Sequence, residues 1–152
     1  MIPSEARWIP SPNFVQGRSG ARIIGIIVHG TGGSFASALE WLRNPQPANP
    51  DSRVSAHYLI GKDGNVAQLV RLEDTAFHVG KSRWQGHYGF ELNRRTIGFE
   101  FENSNLGSDP YSTAQYGLFV ELACPIILAN ALDIEQQITG HSNISLTGKP
   151  DP

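Results

Sequence analysis

The sequence predicts an α/β fold, one β-sheet with covering helices in one domain, and three observations predict it. First, 152 residues suit one core of this kind and are too few for two. Second, five of the six residues at 23–28 are β-branched and aliphatic, with Gly25 the exception and no polar alternation, as in a strand buried on both faces. Third, strand-like runs alternate with segments whose apolar residues recur at helical spacing.

In order, residues 1–20 contain several prolines and glycines without a sustained period, which predicts an irregular N-terminal arm lying on the domain, anchored by Trp8 and Phe14. The central strand ends at His29, and Gly30, Gly32 and Gly33 then allow a sharp turn. Ser34 caps a helix with Phe35, Ala38, Leu39 and Leu42 on its apolar face, stopped by Asn44 and Pro45. After a Pro/Asn-rich loop at 44–51, strands at 54–60 and 66–70 form a hairpin around Lys62-Asp63-Gly64-Asn65. Residues 73–93 read as a long polar and aromatic loop, and loops of that length inside a domain tend to be functional. A core strand is expected at 96–101. The longest helix starts at Ser112 or Thr113 and passes Leu118, Leu122, Ile126 and Leu132, with a kink or break at Pro125. A short strand at 137–139 leads to Gly140-His141, and 142–152 is irregular.

The formal net charge is −2, without a Lys/Arg cluster, which argues against nucleic acid and against a polybasic membrane surface. Neither a signal peptide nor a run of membrane-spanning length is visible, so synthesis in the cytoplasm without membrane insertion is expected. Cys124, the only cysteine, sits in a helical pattern and reads as a core residue.

Catalytic zinc sites take three protein ligands and leave a place for water. His29 and His141 each follow a predicted strand beside a glycine, and Asp151, ten positions beyond His141, has enough chain to loop back. Two histidines and a carboxylate suit hydrolytic zinc; scattered surface histidines with an acidic terminus would look the same in sequence. Lys149, two residues before Asp151, is placed to stabilise an oxyanion or is simply solvated. Alternation puts Glu100 and Glu102 on one side of their strand, either an exposed face or a cleft where Glu100 acts as general base.

Taken together, these motifs resemble the zinc-dependent N-acetylmuramoyl-L-alanine amidases of the type 2 family, which includes phage amidase endolysins and is similar to peptidoglycan recognition proteins. The resemblance runs from about Arg22 to Pro152. It is carried by Ile-Val-His-Gly-Thr at 27–31, Val-Ser-Ala-His-Tyr-Leu-Ile at 54–60 and Lys-Asp-Gly at 62–64. Ala-Phe-His-Val-Gly-Lys-Ser at 76–82, Thr-Ile-Gly-Phe-Glu-Phe-Glu-Asn at 96–103, Thr-Gly-His-Ser-Asn-Ile at 139–144 and Lys-Pro-Asp-Pro at 149–152 complete it. It implies a central mixed β-sheet flanked by helices with a groove over one face, residues 21–152 forming the catalytic domain. It also implies Zn2+ held by His29, His141 and Asp151, with Glu100 as acid/base and Lys149 as the catalytic lysine. The implied reaction cleaves the amide between N-acetylmuramic acid and L-alanine in peptidoglycan or muropeptides.

His78 stands in the family's His-x-Gly-x-Ser loop, which implies a place in the substrate groove. Trp84, His87 and Tyr88 are candidate substrate contacts, because sugar rings present apolar faces to aromatics; loop packing is the other reading. His57 reads as structural. The chain departs from the family at Ala56, where some members have an assisting tyrosine, and at Asn143, where aspartate is common. Alternation sends Tyr58 to the opposite face, so it does not replace that tyrosine and more of the work falls to Glu100. Without a separate wall-binding domain, the resemblance favours a phage or prophage endolysin, monomeric and acting on the wall after release. The alternatives are a cytoplasmic muropeptide-recycling amidase and a peptidoglycan-binding module without catalysis.

Overall fold

A computed structural model describes residues 6–46 and 48–151. The first five residues of the expected arm, Pro47 of the 44–51 loop and Pro152 of the terminal motif lie outside the described residues.

The strands, in chain order, are Arg7–Trp8 (β1), Phe14–Val15 (β2), Gly25–Gly30 (β3), Tyr58–Ile60 (β4), Val66–Gln68 (β5), Thr75–Ala76 (β6), Arg83–Trp84 (β7), His87–Tyr88 (β8), Thr96–Phe101 (β9) and Ile138–Gly140 (β10). The helices are Phe35–Leu42 (α1), Gly89–Arg95 (α2) and Thr113–Asn130 (α3). Six strands form the central sheet in the order β1-β5-β4-β9-β3-β10. Only the β4–β5 hairpin is antiparallel, so the sheet is mixed and the fold is α/β.

Alternation divides the sheet into two unlike faces. One carries Ile26, Ile97, Phe99, Tyr58 and Ile60, which pack under Phe119, Ala123 and Ile126 of α3. Phe99 stacks on Tyr58 at 4.9 Å and meets Phe119 edge-on. The other face carries Leu59, Ala67 and Leu69 against Ala38 and Leu42 of α1, and Ile27 beside Val79 and Leu92. Tyr58 lies on the α3 face, opposite to the face that carries Leu59 and Glu100.

Ser34 caps α1 and Ser112 forms a capping box with Gln115 at the start of α3, both where the sequence places them. Of the kink or break expected at Pro125, the break does not occur, since α3 runs through it to a left-handed cap at Ala131, and Cys124 beside it is exposed instead of lying in the core. Pro125 lies on the exposed side with Glu121, whose carbonyl loses its helical partner there, so water is at hand to replace it. Residues 73–93, expected as a loop, hold β6, β7, β8 and α2.

The expected irregular arm contributes β1 to the sheet edge and β2 to a pair with β6. Trp8 and Phe14 are not its anchors: they are 48% and 42% exposed. Polar groups hold it instead. Buried Asn13 donates to the carbonyls of Asn44 and Val54, and Arg18 donates to those of Leu72, Arg94 and Thr96.

Candidate active site

Parallel pairing sets His29 of β3 opposite Glu100 of β9. Paired residues on neighbouring strands point the same way, so both rise from the face that does not carry α3. On the other side of β3, Gly140 of β10 is level with Val28, and the chain leaves the sheet at His141 beside His29. A 3-10 turn, His141–Asn143, starts the return that brings Asp151 to the two imidazoles.

Three atoms converge there. His141 Nδ1 lies 2.9 Å from Asp151 Oδ2 and 3.1 Å from His29 Nδ1, and the third side, His29 Nδ1 to Asp151 Oδ2, is 3.3 Å. All three residues are buried. Ligands at about 2.0–2.1 Å from a tetrahedral zinc are about 3.3 Å apart, so the triangle has nearly the right size. Among the described residues this is the one group of three His, Cys, Asp or Glu side chains close enough to share an ion.

Proton placement agrees with a cation at this point. His141 Nε2 is 3.0 Å from the carbonyl of Val79, which only accepts, so Nε2 carries the hydrogen and Nδ1 presents its lone pair. Ser82 Oγ lies 3.2 Å from the same Nε2. Burial pushes His29 down to about 4, against the opposing influence of Asp151, so its ring is neutral at pH 7. Burial alone would raise the Asp151 carboxyl, but its contacts with His141 and His29 bring it well below the usual carboxylate range. A carboxylate oxygen and lone-pair nitrogens brought this close repel one another unless a positive charge lies among them.

Glu100 stands beside this cluster with Oε2 buried and without a hydrogen-bond partner. Burial chiefly, and the charge of Asp151 in addition, push its carboxyl up to about 8, while Lys149 pulls the other way. That is a carboxyl able to hold or release a proton near neutrality. Lys149 is exposed and lines both of two adjoining depressions, of about 460 and 260 Å³, which share Val54, Phe77, His78 and His141 with it. Phe90 and Arg53 extend the larger one, and Trp41, Glu100 and Asp151 line the smaller.

The structure thus brings together His29, His141, Asp151, Glu100 and Lys149. Of the four expected substrate contacts, His78 lines the groove as expected and the other three do not. His78 touches the groove, but its ring nitrogens are 3.0 Å from His29 Nε2 and 3.2 Å from Thr96 Oγ1, leaving neither free for a ligand. Trp84 packs with Ile27, Val79, Leu92 and Ile144, and a Cβ at Gly25 would come within 2.6 Å of its ring, so it serves packing. His87 and Tyr88 form the strand opposite Arg83 and Trp84, and neither lines the groove. Sequence reading missed Phe77, Phe90 and Trp41 as the groove's aromatics; Phe77 adjoins His78 within a quoted motif. Glu102 turns its carboxylate to the backbone N–H groups of Phe35 and Lys62, a structural task. His57 is fully buried, accepting from the N–H of Gly98 beside the Arg18 guanidinium, also structural.

Comparison with known proteins agrees with this geometry. The family described as N-acetylmuramoyl-L-alanine amidase (Amidase_2) matches residues 19–152. The 1,6-anhydro-N-acetylmuramyl-L-alanine amidase AmpD of Haemophilus influenzae is 39% identical over 100 residues, 66% of this chain and about half (52%) of that protein. AmpD of Salmonella typhimurium is 32% identical, covering 97% of this chain and 83% of the relative. Among solved structures, a selenomethionine AmpD derivative superposes with a TM-score of 0.77 at 28% identity, covering 96% of this chain and 86% of the other. AmiD from E. coli, in complex with anhydro-N-acetylmuramic acid-L-Ala-D-gamma-Glu-L-Lys, gives 0.67 at 30% identity, covering 82% of this chain and 51% of AmiD. With the sheet, the three converging histidine and aspartate atoms and the adjacent glutamate in place, the chain belongs to the Amidase_2 family and is an N-acetylmuramoyl-L-alanine amidase.

Proposed function

We propose that this amidase is a zinc enzyme whose substrate is a soluble 1,6-anhydro-muropeptide, cleaved between the muramyl lactyl group and L-alanine. The observation that carries the zinc reading is the convergence of His29 Nδ1, His141 Nδ1 and Asp151 Oδ2 on one buried point, beside the unpartnered Glu100. The substrate reading rests on the relatives, since AmpD of Salmonella typhimurium, matched over nearly the whole chain, is named for the anhydro sugar. They favour the recycling alternative over the endolysin that the sequence alone favoured, and with it a monomer working in the cytoplasm. No helix among the described residues is long and apolar enough to cross a membrane.

His29, His141 and Asp151 would hold the ion, two neutral nitrogens and one anionic oxygen. When bound, zinc supplies a Lewis acid that acidifies water and polarises the scissile carbonyl. Glu100 takes a proton from the attacking water at its free Oε2 and returns it to the departing alanine nitrogen. The Lys149 ammonium offsets the negative charge that develops on the carbonyl oxygen. Phe77, Phe90 and Trp41 provide the apolar walls that hold sugar and peptide and exclude bulk water.

The test is a comparison of two substrates with purified, zinc-loaded protein. Release of 1,6-anhydro-N-acetylmuramic acid from a soluble anhydro-muropeptide is expected at a rate at least tenfold above amine release from isolated sacculi. Rapid clearing of sacculi with little turnover of the soluble fragment would reverse the assignment to an endolysin.

A further inference from the structure

We propose that His78 and Thr96 form a positioning relay that fixes which nitrogen of His29 is left free for the metal. The proposal rests on the zinc reading above and concerns side chains behind the ligand set. Thr96 Oγ1 is 2.8 Å from the carbonyl oxygen of Leu92 and 3.2 Å from His78 Nε2. The carbonyl only accepts, so the single hydroxyl hydrogen goes to Leu92, and Oγ1 is left to accept from His78 Nε2–H. A neutral imidazole carries one N–H, so His78 Nδ1 is an acceptor. It lies 3.0 Å from His29 Nε2, which therefore donates. The lone pair of His29 then sits on Nδ1, facing His141 Nδ1 and Asp151 Oδ2.

Run in the opposite sense, the two contacts of His78 would put a hydrogen on His29 Nδ1, in the middle of the ligand set. The relay's end at Leu92 decides between the two. His141 needs no such chain, because its Nε2 meets the carbonyl of Val79 directly. A metal-bound histidine ordinarily donates its second N–H to a carboxylate, carbonyl or water. At His29 that acceptor is another imidazole, which has no fixed polarity of its own, so the hydroxyl behind it supplies one.

The surroundings hold the relay in place. Gly98 of β9 makes room for it: a Cβ there would fall 2.6 Å from the His78 ring. The backbone N–H groups of His78 and Val79 both donate to Asn93 Oδ1 at 3.0 Å, and Asn93 follows Leu92 in α2. Thr96 is fully buried and lies outside the ligand set, so altering it leaves all three ligands in the chain.

The test measures zinc dissociation constants by chelator competition for the wild type, Thr96→Val and Thr96→Ser, with the fold checked by circular dichroism. Nitrogen-detected proton correlations of His29 in the zinc-free proteins are recorded alongside. Thr96→Ser keeps the hydroxyl and is expected within about twofold of wild type. Thr96→Val is expected to bind zinc about 10–100-fold more weakly and to show a new Nδ1–H population at His29. If Thr96→Val fails to fold, the contrast moves to His78→Asn, whose side-chain oxygen replaces the Nδ1 acceptor, against His78→Leu, which has none. Affinity is then expected to be kept in the first and lost in the second. Zinc binding and a His29 tautomer identical in the folded variant with and without the polar group would overturn the relay. A wild type that binds no zinc would instead overturn the metal reading beneath it.

Discussion

Glu100→Gln tests in one substitution whether the structure stores a carboxyl ready for proton transfer. The unfolded chain loses the Glu100 proton near the ordinary value of 4.5, whereas the folded chain, with the group buried beside Asp151, keeps it to about 8. Between these values the folded state binds more protons, so stability falls as pH rises through that window. At about 1.4 kcal/mol per tenfold change in proton affinity, the full effect is at most about 5 kcal/mol. Glu100 retains some solvent contact, so about 2 kcal/mol is expected once water relaxes around it. The glutamine has the same shape and no titration. Urea denaturation of the zinc-free proteins at pH 5 and pH 8 should show the wild type losing about 2 kcal/mol more than Glu100→Gln, or about 4–8 °C in thermal midpoint. The zinc-loaded glutamine variant should keep its metal and lose about 10²–10⁴-fold in rate. Parallel loss of stability in the two proteins would refute the burial argument for Glu100, and undiminished turnover by zinc-loaded Glu100→Gln would refute its acid/base role.

Lys149→Met should retain zinc and bind substrate with little change in KM while kcat falls about 10²–10³-fold, measured by amine release from the anhydro-muropeptide. Chelation should abolish turnover. Zinc restored at about 100 times its dissociation constant should return activity and add about 2.7 kcal/mol, read as a rise of about 5–10 °C in thermal midpoint. Asp151→Asn removes the only anionic ligand, so zinc affinity should fall beyond the 10–100-fold range of outer contacts while the sheet stays folded. Phe99→Ala, on the α3 face, should cost about 3–5 kcal/mol in denaturant unfolding and leave zinc affinity unchanged in the folded fraction.

What was legible in the sequence follows the range over which each signal acts. β3, α1, α3 and the hairpin carry their own pattern: an unbroken aliphatic run, a capped helical period, a turn between alternating strands. The segment 73–93 does not. Its strands β6, β7 and β8 have two residues each and exist because β2 pairs with β6 and β7 pairs with β8. α2 has seven residues and starts without a side-chain cap, too short for an apolar period to register. Pro125 does not break α3 for the converse reason, since a lost hydrogen bond on an exposed helix face is easily replaced by water. Within the site, the meeting of His29, His141 and Asp151 was legible from the motifs and their family resemblance. The contacts of His78 with His29 and Thr96 were not, because they depend on the missing side chain of Gly98, against the His78 ring in space but twenty residues away in sequence.

The step that makes a site out of these residues is one strand register. His29 and Glu100 are each identifiable as unusual, a histidine and a glutamate in aliphatic strands, but nothing local says that they are level. The parallel β3–β9 pairing fixes it, from Gly25 opposite Thr96 to Gly30 opposite Phe101. A slip of one residue would bring Phe99 or Phe101 level with His29 and turn the β9 side chains over, sending Glu100 under α3 and the phenylalanines into the groove. The register is held by the hydrophobic face itself, because Ile97, Phe99 and Phe101 must meet Ile26, Tyr58, Ile60 and Phe119. Packing beneath the sheet thereby dictates chemistry above it. The same register puts Gly98 level with Ile27 and Thr96 level with Gly25, so the space for His78 and the hydroxyl at its back arrive with the glutamate. The site and its support are alternate residues of one strand, and they stand or fall together with the core on its other side.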